Sequence, residues 1–235
     1  MENLKKIKLG TSLIKTIESR KAHIQEGILT WGKQNYRKFA WRENRTPYSV
    51  LVSEILLKRT TASAVQWIYK KFMLRYPNIG VLAKANREKL EELLLRIGYH
   101  KRRTGILIDI GKYILNECNG QIPKSRKELL EIPFIGQYTA GAILSFGYSI
   151  PSAMVDSNIE RIITRLFSKD FSDKSTARIV REIADMIAPD KENQAYNYGL
   201  LDLGAVICRY GIPKCNTCPI NMFCDYCLSE QPCKT

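Results

Sequence analysis

Apolar positions recur at helical spacing along almost the whole chain, and alternating strand patterns are scarce. The first predicted helix covers residues 7–31 and is amphipathic. A polar stretch, 41–48, follows as a loop that Pro47 closes. Helices are then predicted over 49–58, 61–75 and 87–97, with Gly98 as a natural C-terminal cap for the last. The basic corner His100-Lys101-Arg102-Arg103 opens another helix that runs to about Cys118.

Ser125-Arg126-Lys127-Glu128 has capping-box spacing and starts a short helix, which Pro133 to Gly136 ends. A second helix begins near Gln137 and runs to about Phe146. Ser157-Asn158-Ile159-Glu160 reads as another capping box. Behind it Ile159, Ile162, Ile163, Leu166 and Phe167 form one apolar face. Helices over 175–187 and 193–208 complete the pattern. The expected fold class is all-α, without repeats or low-complexity segments.

The 235 residues suffice for one large or two small domains. Lys and Arg number 37 against 23 Asp and Glu, a net charge of +14. So basic a chain suits a polyanionic partner, because counterions released from phosphates drive binding. A merely basic surface is the plainer alternative. The longest run without charge, 132–155, contains Pro133, Pro151 and three glycines, so it is a poor membrane span. No secretory signal is visible, and a cytoplasmic, nucleoid-associated protein is expected, with no membrane and no nucleotide cofactor.

Six of the seven cysteines fall between Cys208 and the end of the chain. Cys208, Cys215, Cys218 and Cys224 have the spacing C-x6-C-x2-C-x5-C. Four thiolates in so short a loop suit a tetrahedral zinc ion or an iron–sulfur cube, and spacing alone does not separate the two. Cys227 and Cys233 lie beyond the set as tail thiols, with Cys227 a competitor for the place of Cys224. Cys118 reads as a core or helix-end residue.

The helix–turn–helix over 125–144 exposes backbone N–H groups at the start of its second helix, where a DNA phosphate fits. An ordinary helical hairpin has the same pattern. Asp156 precedes the Ser157 cap, and the helix N-terminus favours it as an anion. It is a candidate base or electrostatic stabiliser, or simply a cap. Glu54 has Val50, Leu51, Leu57 and Lys58 as helical neighbours. A carboxylate among apolar side chains holds its proton, which suits a general acid. An ion pair with Lys58 is the alternative.

These pieces occur together and in order: Trp41-Arg42, Pro47-Tyr48, Ser53 to Leu57, Ile97-Gly98-Tyr99, Ile132 to Ala142, Val155-Asp156-Ser157-Asn158, Leu201 to Ala205 and the four-cysteine loop. In that combination the chain resembles the helix-hairpin-helix DNA glycosylase superfamily that includes endonuclease III. The resemblance implies two helical domains flanking a DNA-binding cleft. One, 47–157, is a helical barrel carrying the hairpin 125–144. The other joins 1–46 to 158–235 and holds a 4Fe-4S cluster on Cys208, Cys215, Cys218 and Cys224. The resemblance further implies catalytic roles for Asp156, Glu54 and Tyr138. It implies DNA contacts by Lys58, Arg59, Thr60, Phe134, Gly136, Gln137 and Thr139.

Endonuclease III-like enzymes carry a lysine at the position of Tyr138 that forms a Schiff base with the sugar. Tyrosine cannot, so lyase activity is expected to be weak or absent. Adenine glycosylases usually have glutamines where this chain has Lys58-Arg59. They also usually carry a further C-terminal domain, for which this chain, ending at Thr235, has no room. Leu56 to Thr61 is more similar to archaeal-type thymine mismatch enzymes. The expected function is a monofunctional glycosylase that removes thymine or uracil opposite guanine from double-stranded DNA, as a monomer. Adenine excision from A:G or A:8-oxoguanine pairs is the alternative within enzymes. A non-catalytic iron–sulfur DNA-binding protein and a zinc module are alternatives from other classes. One departure stands out: Phe134 occupies a hairpin position that is usually glycine, which alters the turn or brings a ring near the DNA backbone.

Overall fold

The computed structural model describes residues 9–171 and 177–229, and among them every regular element is helical. The expected all-α class holds. No described helix is long and apolar enough to cross a membrane. The chain divides into two compact units, one formed by Met1–Arg37 with Pro151–Thr235, the other by Lys38–Ile150.

The second unit is built around α2 (Pro47–Leu57). Every residue of α2 from Ser49 to Leu56 is buried, Ser49, Ser53 and Glu54 among them. Thr46 caps α2 by accepting the Ser49 N–H, while Ser49 Oγ accepts the Thr46 N–H. Around it run α3 (Ala62–Arg75), α4 (Ile79–Ala83), α5 (Arg87–Leu94), α6 (His100–Glu117), α7 (Arg126–Glu131) and α8 (Gln137–Ala142).

Three details differ from the sequence expectation. The helix foreseen over 87–97 tightens into a 3-10 turn at Leu95–Ile97, which ends at Gly98 with φ +70°. The last turn of the hairpin's second helix widens into a π-helix over Ile143–Gly147. The short helix α4, capped by Asn78, was hidden by its five-residue length.

The first unit packs α1 (Thr11–Asn35) on α11 (Asn193–Val206), with α9 (Ser157–Leu166), α10 (Ala177–Ile187) and α12 (Asp225–Ser229) beside them. Leu13, Ile17, Ile24 and Ile28 form the buried face of α1. Asp202, fully buried on α11, receives the Arg37 main-chain N–H at 3.0 Å and its Nε at 2.6 Å.

The unit boundaries fall earlier than 47 and 157. Trp41 stacks on Phe39 and meets Tyr69 of α3 edge-on, which draws the 39–42 turn into the helical barrel. Ser152 bonds to Asn193 and Asn197 of α11, which draws 151–157 into the other unit.

Candidate active site and thiol cluster

Asp156 is the N-cap residue of α9, a correction to the Ser157–Glu160 capping box. Its carboxylate reaches two main-chain donors, whereas Ser157 already lies in the first turn. Oδ1 accepts the N–H groups of Asn158 and Ile159 at 2.9 and 2.8 Å. Oδ2 accepts Nδ2 of Asn158 at 2.9 Å. Asn158 in turn accepts Nη2 of Arg161 at 2.8 Å, and Arg161 donates Nε to the Cys208 carbonyl at 2.9 Å. The same Nη2 reaches the Gly204 carbonyl at 2.9 Å. A Cβ at Gly204 would lie 2.7 Å from Cβ of Asn158, so only glycine admits Asn158 this close to α11. A continuous chain of bonds thus runs from the Asp156 carboxylate to the first cysteine of the set.

Around the cysteines, Arg165 donates to Cys208 Sγ at 3.4 Å and to the Arg209 and Gly211 carbonyls at 2.9 and 3.1 Å. Cys224 Sγ donates to the Arg165 carbonyl at 3.4 Å. Arg20 of α1 ties down the far side through Asp225, Leu166 and Phe223, and His23 stacks on Phe223. Cys218 feels the charge of Cys208, Cys224 and Cys215, so all four thiols of the set are electrostatic neighbours. Burial pushes the Cys218 thiol up to about 12 and that of Cys224 up to about 11. Backbone N–H groups of Ile220, Tyr226 and Cys227 oppose the rise by donating to these sulfurs. Cys208, Cys218 and Cys224 accept N–H bonds, and the four half-buried thiols fit a cationic metal group, which would offset the cost of ionising them together. Among the described residues, no three or more His, Cys, Asp or Glu side chains are grouped to hold a single metal ion. Cys227 neighbours Cys224 and is not among the groups that act on Cys218. Cys233 lies outside the described residues.

In the other unit Glu54 is buried on α2 and acts electrostatically on Lys58. Desolvation lowers the Lys58 pKa, the Glu54 charge opposes this, and Arg103 adds to the lowering. Lys58 donates to the Phe134 carbonyl at 2.9 Å and so joins the end of α2 to the hairpin tip. Arg103, missed as a site residue in the sequence, is buried and donates to the carbonyls of Ile55, Leu56, Lys58 and Gly98. It caps the C-terminus of α2 and fixes the Lys58–Thr60 turn. The helical spacing of Arg103 with Leu107, Ile110 and Ile114, all buried, was the available signal.

At the hairpin, Phe134 keeps a glycine-like φ of +66° with its ring half in solvent. Ile132 and Ile135 on either side are buried. Gly136 is exposed at the N-cap of α8, Gln137 is held by Arg126, and Tyr138 is half-buried. Thr139 is the exception among the candidate DNA contacts: its side chain is buried in the core, since it falls on the inner face of α8. Thr60 is half-buried and Arg59 exposed, the latter over the Tyr99 ring at 5.8 Å.

Residues 52–189 match the family described as HhH-GPD superfamily base excision DNA repair protein. The chain belongs to the HhH-GPD superfamily. The match contains Glu54, Tyr138 and Asp156, while the four cysteines lie beyond it. This HhH-GPD chain is 32% identical over 90% of its length to a thymine/uracil-DNA glycosylase of Methanothermobacter thermautotrophicus, of which it covers 96%. It is 34% identical over 87% of its length to an adenine DNA glycosylase of Buchnera aphidicola subsp. Baizongia pistaciae, of which it spans 58%. Its structure superposes on that of a thermostable thymine-DNA glycosylase with a TM-score of 0.85 at 30% identity, covering 91% of this chain and 99% of the other.

Proposed function

We propose that the chain is a monofunctional DNA glycosylase that hydrolyses the N-glycosidic bond of thymine or uracil mispaired with guanine in double-stranded DNA. The observation that carries this reading is the Asp156 carboxylate, held at a helix N-terminus by two main-chain N–H groups and by Asn158.

The target nucleotide leaves the stack first, at a cost of a few kcal/mol that is smallest at a mismatch. The bond between C1′ and the base nitrogen then breaks, and its electron pair leaves with the base. Asp156 stabilises the positive charge that develops on the sugar and takes a proton from the attacking water. Glu54 orients the departing base, which takes its proton from solvent water. The water oxygen bonds to C1′, so the products are the free base and an abasic sugar. Tyr138 has no amine with which to form a Schiff base, which supports hydrolysis without strand cleavage. Lys58, Arg59, Gly136 and Gln137 contact the DNA, and the net charge of +14 supports phosphate binding.

Cys208, Cys215, Cys218 and Cys224 would hold one 4Fe-4S cluster. When bound, it supplies iron–thiolate bonds that close the Cys208–Cys224 loop. Arg161 and Arg165 bond to the backbone of that loop. The expected state is a monomer.

Duplexes containing T:G, U:G or A:G, incubated with the chain and then treated with alkali, test the reading. Cleavage at T:G and U:G, dependent on alkali, is expected. The identity to an adenine DNA glycosylase, 34%, favours A:G as the second reading, and cleavage at A:G alone would replace the first with it.

A further inference from the structure

Besides Cys118, five described cysteines stand outside disulfides, Cys208, Cys215, Cys218, Cys224 and Cys227, one more than a four-thiolate set needs. All five are half-buried. Cys227 lies on α12, three residues after Cys224, and Cys224 directly precedes that helix. The two therefore hold the end positions of a capping box, in which the third helical side chain turns back toward the residue before the helix. The Cys224 sulfur accepts the main-chain N–H groups of Tyr226 and Cys227, and the Cys227 thiol acts on it electrostatically. The Leu228 N–H donates to the Cys224 carbonyl at 3.0 Å and closes the turn.

Both residues between the two cysteines are anchored. Asp225 is only 1% exposed and accepts Arg20 Nη1 at 2.8 Å and the Lys169 N–H at 3.3 Å. Tyr226 lies under the Arg165 guanidinium, 4.8 Å from ring to carbon, while Nη1 of that arginine donates to the Cys208 sulfur. These bonds run between side chains and backbone of the chain itself, so they keep Cys227 beside the place of Cys224. Five residues separate Cys218 from Cys224, and eight separate it from Cys227. Closing the longer loop costs little more, because closure entropy grows slowly with length. The neighbourhood is selective. Cys227 acts on Cys224 and is not among the groups that act on Cys218, whereas Cys208, Cys215 and Cys224 are.

We propose that Cys227 is a reserve ligand for the iron that Cys224 holds. The inference rests on the 4Fe-4S reading above. When the bond from Cys224 to that iron breaks, the Cys227 thiol gives its proton to solvent water and its sulfur bonds to the same iron. The Cys224 thiolate takes up a proton, so charge is conserved and no electron is transferred.

The test uses the full chain, purified without oxygen, with iron and acid-labile sulfide counted per chain. Cys224→Ala is expected to keep at least about half of the parent's iron and sulfide, and the double variant Cys224→Ala/Cys227→Ala less than about a tenth, since its four-thiolate set falls to three. Cys215→Ala, whose place Cys227 does not cover, is expected to be as empty as the double variant. A Cys224→Ala chain as empty as Cys215→Ala overturns the proposal. Equal retention with and without Cys227 also overturns it, because another group then fills the place.

A second measurement does not depend on how Cys224→Ala folds. The parent chain and Cys227→Ala are mixed with an excess of the iron chelator bathophenanthroline disulfonate. Alanine keeps the main-chain N–H at 227, so the sulfur is what the variant lacks. A reserve ligand recaptures iron that Cys224 has released, and Cys227→Ala is expected to lose iron about tenfold faster than the parent chain. Equal rates overturn the proposal. Iron in the parent chain with an empty Cys224→Ala refutes the reserve role and leaves the cluster standing. A parent chain without iron refutes the cluster, and the reserve role with it.

Discussion

Asn158 bonds to Asp156 twice, through its main-chain N–H to Oδ1 and through its side-chain Nδ2 to Oδ2, both at 2.9 Å. The carboxylate is therefore fixed in rotation as well as in place. Asn158→Ala removes the Oδ2 bond and frees Oδ2 to turn, while Oδ1 keeps its main-chain donors. A reactive group displaced by about 1 Å loses on the order of a hundredfold in rate. Single-turnover base release by Asn158→Ala is expected to fall by about ten- to a hundredfold, with DNA affinity retained. Unchanged turnover would show that the orientation of Asp156 does not depend on Asn158.

Arg103 holds the end of α2 by its carbonyls. Arg103→Met leaves four carbonyls of Ile55, Leu56, Lys58 and Gly98 without this donor. Each buried carbonyl left without its donor costs about 1–3 kcal/mol. Urea unfolding is expected to show a loss of that size, and a loss below about 1 kcal/mol would mean that water replaces the guanidinium.

Phe134 at φ +66° predicts an order of stability. Phe134→Ala keeps the strained backbone and loses the ring's packing. Phe134→Gly relieves the strain. The glycine variant is expected to be more stable than the alanine variant by about 1 kcal/mol in thermal melts, the reverse of the order in a helix interior.

The lowered pKa of Lys58 fixes a sign. Between its folded value and the unfolded value of about 10.4, the unfolded chain binds more protons at this site, so stability rises with pH there. Relative to Lys58→Met, the parent chain is expected to gain stability as pH rises through that window. A difference that falls with rising pH would contradict the desolvation of this ammonium.

Among the cysteines, Cys215→Ala is expected to abolish bound iron and acid-labile sulfide, while Cys227→Ala retains both. Cys215 acts on Cys218 together with Cys208 and Cys224, whereas Cys227 acts on Cys224 and is not among the groups that act on Cys218. Stoichiometric zinc without iron in the parent chain would replace the cluster with a zinc site.

Much of this was legible before any coordinates. Apolar periodicity placed the long helices to within a few residues, because one buried face dictates the spacing. The cysteine spacing marked the thiol loop, since ligands on adjacent turns must be close in sequence. What stayed hidden depends on contacts between distant segments. Asn158 owes its position to a glycine at 204, and Arg103 owes its burial to carbonyls on α2. The capping role of Asp156 went to Ser157 because both precede the same helix, and only backbone geometry separates them. Phe134 was visible as a departure from the usual glycine. That it would keep glycine's conformation was not, since sequence carries no φ.

The most direct test of the account is single-turnover base release from a T:G duplex by the parent chain and by Asp156→Asn, with binding measured on the same duplex. The expected result is release by the parent chain, none by the variant, and affinities within about threefold, since the substitution leaves the phosphate contacts intact. Equal release by the two proteins would contradict the catalytic role of Asp156 on which the proposed reaction depends.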